Sequence, residues 1–195
     1  MTDMTYTKGR TRFIKITKLF FNHYLWAVKE DGKETDELSL LFRKWSNFNY
    51  LLDFFFANLD DLKNFFRIEK VSDAIRDTME DAQELERLIL DFPYTEKLDG
   101  LFHPLSLADT RAHELTREKA RNWDRTQHPS WLRIYAIRIE PNVYIVTGGA
   151  IKLTATMQER EHTQRELDKL NACRDFLKQN GVFDQDSFVD FFEEG

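Results

Sequence analysis

The sequence predicts an α+β fold, a small and mostly antiparallel sheet of about four strands flanked by helices, and three stretches carry that prediction. Residues 131–139, Trp-Leu-Arg-Ile-Tyr-Ala-Ile-Arg-Ile, are apolar on both alternating faces, as a central strand covered on both sides must be. Glu140-Pro141-Asn142 is turn chemistry, and the β-branched and aromatic run Val143 to Thr147 follows it, so the two runs form a hairpin. Past the polar stretch from Thr154 to His162, Thr163 and Glu166 stand as a capping box. Leu167, Leu170, Cys173 and Leu177 then recur at helical spacing until Asn180-Gly181 supplies a left-handed stop.

Taken in order, Met1 to Lys18 is basic and begins as a loose terminus. Phe13 to Val28 has strand character, best developed from His23 to Val28 and ending at Asp31-Gly32. A helical elaboration is predicted over residues 35–91. Thr35 or Asp36 caps a helix carrying Leu38, Leu41, Phe42 and Trp45, and Asn47 caps one carrying Phe48, Leu51, Leu52, Phe55 and Leu59. Ser72 caps a long helix ending before Pro93. Phe54-Phe55-Phe56 and Phe65-Phe66 are too aromatic for one stripe, so part of this surface faces a second element or a partner. Thr110 to Leu115 alternates weakly and is expected as a strand, Gly148-Gly149 as a bulge or close approach, and Asp184 as the cap of a last short helix.

With 195 residues, 42% of them hydrophobic, the chain can bury the core of a single domain spanning 1–195. No apolar run approaches the roughly 20 residues of a membrane span, and the start lacks a secretory stretch, so a cytoplasmic protein without a membrane partner is expected. The single cysteine excludes an internal disulfide. The net charge of −6 is unevenly spread: residues 1–100 carry −4, residues 101–178 carry +3 and residues 179–195 carry −5. The predicted hairpin and helix therefore lie in the net-positive third.

Phosphate-cradling glycine loops, zinc-spaced cysteines and nucleophile elbows are missing, and neither cofactor nor metal is expected. His103, His113 and His128 lack the spaced partners of a metal site. What remains is basic. Arg133 and Arg138, five apart on a strand, point to opposite faces, and Lys152, Arg160 and His162 cluster after the glycine pair. Such a set suits contact with phosphate and movement of a proton. On spacing alone, solvated strand-end charges paired with Glu114, Glu140 or Glu159 account for it better.

From Leu105 to Leu177 the order of motifs resembles the RelE/ParE superfamily of toxins, in particular its HigB-like branch. The matching text is His113-Glu114-Leu115, Arg133-Ile134-Tyr135, Gly149-Ala150-Ile151-Lys152-Leu153-Thr154, and Glu166-Leu167 opening the helix. Thr116 stands where the family often has arginine, and Leu153 replaces the second lysine of a pair. The resemblance implies a RelE-like sheet and cleavage of messenger RNA on the ribosome by attack of the ribose 2′-hydroxyl, without a metal. It implies Arg133 and Lys152 at the phosphate, Arg160 and His162 as further catalytic groups from an insertion, and Arg111, His113 and Arg117 on the RNA. It also implies a small antitoxin partner, of the helix-turn-helix kind among others. Two alternatives stand beside this: a catalytically silent interaction module on the same scaffold, and a ParE-like inhibitor of gyrase.

Overall fold

A computed structural model describes residues 14–18, 24–30, 32–90, 98–110, 115–122, 128–154 and 160–193. Their strands are β1 (Ile14–Lys18), β2 (Leu25–Glu30), β3 (Phe102–Pro104), β4 (Thr116–Ala120), β5 (Leu132–Glu140) and β6 (Val143–Ile151). The helices are α1 (Glu37–Trp45), α2 (Phe48–Ala57), α3 (Leu59–Phe66), α4 (Val71–Leu90), α5 (Leu98–Leu101), α6 (Leu107–Thr110), α7 (Glu161–Gln179) and α8 (Gln185–Glu193).

The six strands form one sheet in the order β1-β2-β6-β5-β4-β3. It is mixed. Neighbours are antiparallel except β2 and β6, which run parallel and pair only from Leu25↔Tyr144 to Ala27↔Val146. The expected count of about four is corrected to six, because short edge strands β1 and β3 extend a central four. β1, in the stretch read as a basic terminus, pairs with β2 from Ile14↔Glu30 to Lys18↔Trp26.

Helices cover both faces. Leu132, Ile134 and Ala136 of β5 join the cluster that holds Leu41, Trp45, Leu51, Phe55, Leu62 and Leu85 from α1 to α4. Tyr135, Ile137 and Ile139 join the opposite cluster with Leu170, Cys173, Phe176 and Leu177 of α7 and Phe188 of α8. The double apolar pattern of 131–139 therefore has a partner layer on each side. On the first face the helices of 35–91 pack as one layer, within which the indole of Trp131 donates to Thr78 Oγ1 at 2.9 Å.

Local signals in the chain account for most boundaries. Asp36 accepts from the Ser39 amide, Asn47 from Tyr50 and Asp184 from Ser187, each at 2.9 Å, as N-caps do. Asn142 (φ 64°) turns the β5–β6 hairpin and Gly181 (φ 75°) stops α7, both in the left-handed region. Two cap expectations are corrected. α4 starts at Val71, so Ser72 lies inside its first turn. α7 starts at Glu161 with Arg160 at the cap position, and Thr163 Oγ1 donates to the Arg160 carbonyl at 2.8 Å. Arg160 is held by Asp61 of α3, which starts the helix before the capping box.

The strand expected at Thr110 to Leu115 is also displaced. Thr110 ends α6, residues 111–114 lie outside the described residues, and the strand begins at Thr116 after Leu115, whose φ is 46°. Asp109 draws the two segments together, accepting from the Arg117 amide at 3.2 Å and the Arg117 Nε at 2.8 Å.

Candidate functional site

At one end of the sheet, cations from neighbouring strands converge on the face that carries α7. Lys119 of β4 lies opposite Tyr135 of β5, and two residues further on, Arg121 comes level with Arg133. Arg133 lies opposite Ala150 of β6. The Lys152 amide donates to the Trp131 carbonyl at 2.8 Å, so alternation places Lys152 on the same face, diagonal to Arg133 and two residues further along.

Three of these cations donate to carbonyls. Arg133 Nη1 donates to the carbonyl oxygens of Ser130 and Leu132, both at 2.6 Å. Lys119 Nζ donates to the Leu105 carbonyl at 3.4 Å, and Lys152 Nζ to that of Thr154 at 2.9 Å. A carbonyl orients an ammonium or guanidinium without neutralising it, and Lys119, Arg121 and Arg133 lie close enough for their charges to act on one another. Burial first, then the field of Arg121, pushes the Arg133 guanidinium down to about 10, which leaves it charged at neutral pH. Burial, then Arg133 and Arg121, lowers the Lys119 ammonium. Arg121 thus disfavours the charge on Arg133, and both disfavour that on Lys119, which is the electrostatic condition an arriving anion relieves.

The other residues singled out in the sequence sit elsewhere. Arg160 is in a two-pronged ion pair with the buried carboxylate of Asp61. His162 donates from Nε2 to the Ile151 carbonyl at 2.9 Å and meets the Phe54 ring edge-on. Arg117 is neutralised by Asp109 and donates from Nη1 to Asn171 at 2.8 Å. Arg111 and His113 lie outside the described residues. Of the seven, Arg133 and Lys152 are brought together, while Arg160 and His162 stand at the opening of α7. Lys119 and Arg121 escaped the sequence reading, although Arg117, Lys119 and Arg121 recur at period two, the spacing of one strand face.

A second feature lies where β2 and β6 part. Beyond Ala27↔Val146, β6 runs on to Ile151 without a β2 partner, the chain leaving β2 toward the first face and β6 toward the second. A crevice at the carboxyl ends of parallel strands, where the connections diverge, is the general ligand position in open α/β sheets. Here it is an open cleft of about 420 Å³ between α1, α2, the end of β6 and the first turns of α7. Gly149 borders it. The register slips between Tyr135 and Ala136, leaving Thr147 as the extra residue of a bulge. On one side of the cleft Lys169 Nζ donates to Glu37 Oε2 at 2.7 Å and lies 3.1 Å from Glu166 Oε2. Burial raises the Glu166 carboxyl despite Lys169, and Glu37 adds to the rise. Between the two features, the Tyr135 hydroxyl is buried with no hydrogen-bond partner among the described residues, and burial raises its ionisation.

Among the described residues no cluster of three or more histidine, cysteine or acidic side chains could hold a metal ion. Cys173 is buried, and its thiol is pushed up to about 12. Among the described residues no helix is long and apolar enough to cross a membrane. Fold and site together define an α+β protein with a mixed sheet, helices on both faces and a row of cations at one end. No family model, curated protein or solved structure matches the chain.

Proposed function

We propose that the chain is an RNA-directed toxin of the RelE/ParE kind: a metal-independent endoribonuclease that acts on messenger RNA at the ribosome and is silenced by a small antitoxin covering its basic face. The observation that carries the reading is the convergence of Lys119, Arg121, Arg133 and Lys152 on one face at one end of the sheet, where Lys119, Arg133 and Lys152 donate to carbonyls. A phosphodiester laid across it would meet Arg133 at the centre, with Lys119 and Lys152 on either side. As the 2′-hydroxyl attacks, charge grows on the non-bridging oxygens, and fixed cations in a partly dry site stabilise that charge more than the ground state. Part of the element order supports the same reading: β2, the helices α1 to α4, the antiparallel strands β4, β5 and β6 with β6 beside β2, and then α7, to which β1, β3 and α8 are additions. Arg160 and His162, held by Asp61 and the Ile151 carbonyl, serve to position the start of α7.

A second reading, a docking module, has its own observation. Phe48, Phe56 and Phe65 on α2 and α3 are each more than half exposed, while Phe55 is fully buried. The experiment that decides is induction of the wild-type chain in bacteria. Growth should stop and messenger RNA should be cut, with cleavage persisting in a chelator, and Arg133→Ala should lift the arrest while accumulating as folded protein. Harmless wild-type protein favours the docking module, and relaxed supercoiling without RNA cleavage favours the gyrase inhibitor.

A further inference from the structure

We infer that the cleft where β2 and β6 part is a binding site for a nucleoside monophosphate, separate from the cation row. Three observations converge on that ligand class.

The first is shape. At about 420 Å³ the opening is large enough for one nucleotide, and it lies at the divergence of two parallel strands, which sheet hydrogen bonds cannot close. The second is an aromatic wall. Tyr50 and Phe54 of α2 stack at 6.4 Å with 26° between their planes, and His162 of α7 meets Phe54 edge-on at 5.4 Å. Flat rings lining an open cleft offer a platform to another flat ring, and stacking of this kind tolerates any base.

The third is the placement of polar groups. Lys44 on α1 and Arg165 on α7 stand on opposite walls, Lys44 close enough to act on the Glu166 carboxyl. Glu37 is taken up by Lys169, so it does not repel an anion at full strength. Glu166, inside the cleft, can pair with the N–H groups of a base, as can backbone groups of the β6 edge that β2 leaves open. Glu37, Asp53 and Glu166 on the lining balance Lys44, Arg165 and the adjoining Lys169, and Glu161 pairs with Arg165, so the cleft has no surplus of positive charge to hold more than one phosphate. The site therefore takes a single phosphate in preference to a triphosphate.

The test uses the full chain in calorimetric titrations at neutral pH with AMP, GMP, CMP and UMP. The four matching nucleosides, the four matching triphosphates and inorganic phosphate serve as controls. At least one monophosphate should bind in the submillimolar range, with its nucleoside, free phosphate and the matching triphosphate each at least about tenfold weaker. Tyr50→Ala and Lys44→Ala, both on exposed positions, should each weaken binding by about tenfold without lowering the melting temperature, and Arg133→Ala should leave it unchanged. Absence of binding by all four monophosphates overturns the inference. So does equal binding of free phosphate, or loss of binding in Arg133→Ala with retention in Tyr50→Ala, which would place the nucleotide on the cation row. A chain harmless on induction that still binds a monophosphate through Tyr50 and Lys44 keeps this inference and removes the toxin reading.

Discussion

Lys169 and Glu37 come from helices on opposite faces of the sheet, and their side chains meet at 2.7 Å where β2 and β6 part. The contact ties α1 to α7 across a gap that the strands leave unpaired. Lys169 also faces Glu166, and both neighbours raise its own ionisation despite burial, so the ammonium stays charged.

Removing that ammonium leaves two partly buried carboxylates facing each other. Lys169→Met is expected to lose about 3 kcal/mol of stability, the size typical of breaking a buried pair from one side. The double variant with Glu37→Gln should recover part of the loss. Urea denaturation of the wild type, both single variants and the double variant checks this, and a double-variant loss equal to the sum of the two single losses would show that Glu37 and Lys169 are not coupled.

Gly148 is the backbone position over which this cluster closes. A methyl group there would overlap Glu166 Oε2 and come within 2.8 Å of Lys169 Nζ. Gly148→Ala should destabilise by about 1–3 kcal/mol, the usual range for overpacking. Gly181→Ala serves as a control for backbone effects, since a methyl there meets nothing within 4 Å and only its φ of 75° opposes it. A melting temperature unchanged in Gly148→Ala would mean that the cluster moves aside freely.

Glu118 sets a pH dependence. Burial raises its carboxyl, and Asp99 adds to the rise, while Arg138, Thr116 and Tyr144 pull the other way. A folded-state value above the unfolded one means stability that is complete below the ordinary glutamate range and declines as pH climbs through the raised value. Asp99 has the opposite sign: hydrogen bonds from Tyr144 and Asn142 and the charge of Arg138 outweigh its burial and lower it, so its contribution fades as pH falls below the ordinary aspartate range. Unfolding free energies measured from pH 4 upward should decline in the wild type as pH rises beyond the ordinary glutamate range. The decline should be flatter in Glu118→Gln, and an identical slope in the two proteins would show that Glu118 does not titrate in this range.

The cation row predicts the salt dependence of RNA binding. On a single-stranded oligonucleotide, each phosphate contact contributes about 0.7 to the slope of log affinity against log salt. Lys119→Ala and Arg121→Ala should each reduce the slope by that amount, as Arg133→Ala should. Arg117→Ala should leave it unchanged and lower the melting temperature, because Asp109 already neutralises Arg117. Slopes identical in all four variants would remove the row as an RNA contact.

What the sequence determined by itself is local. The two-sided apolar run of 131–139, the Pro141-Asn142 turn, the caps at Asp36, Asn47 and Asp184 and the stop at Gly181 depend on neighbours within a few residues, and each is legible from residue type and spacing. So is the placing of Arg133 on the face opposite Arg138, which follows from strand alternation alone. The tertiary structure decided whatever depends on partners far along the chain. Arg160 looked as available as Arg133, yet Asp61, 99 residues away, takes it up. Arg117 and Lys119 share one strand face, yet an aspartate neutralises the first while a carbonyl holds the second. The parallel neighbourhood of β2 and β6, and with it the cleft, arises because more than a hundred residues between them fold into a layer of helices and three intervening strands. Composition and periodicity record which face a residue takes. Which charge it meets there is set by chain closure over distances that no local pattern encodes.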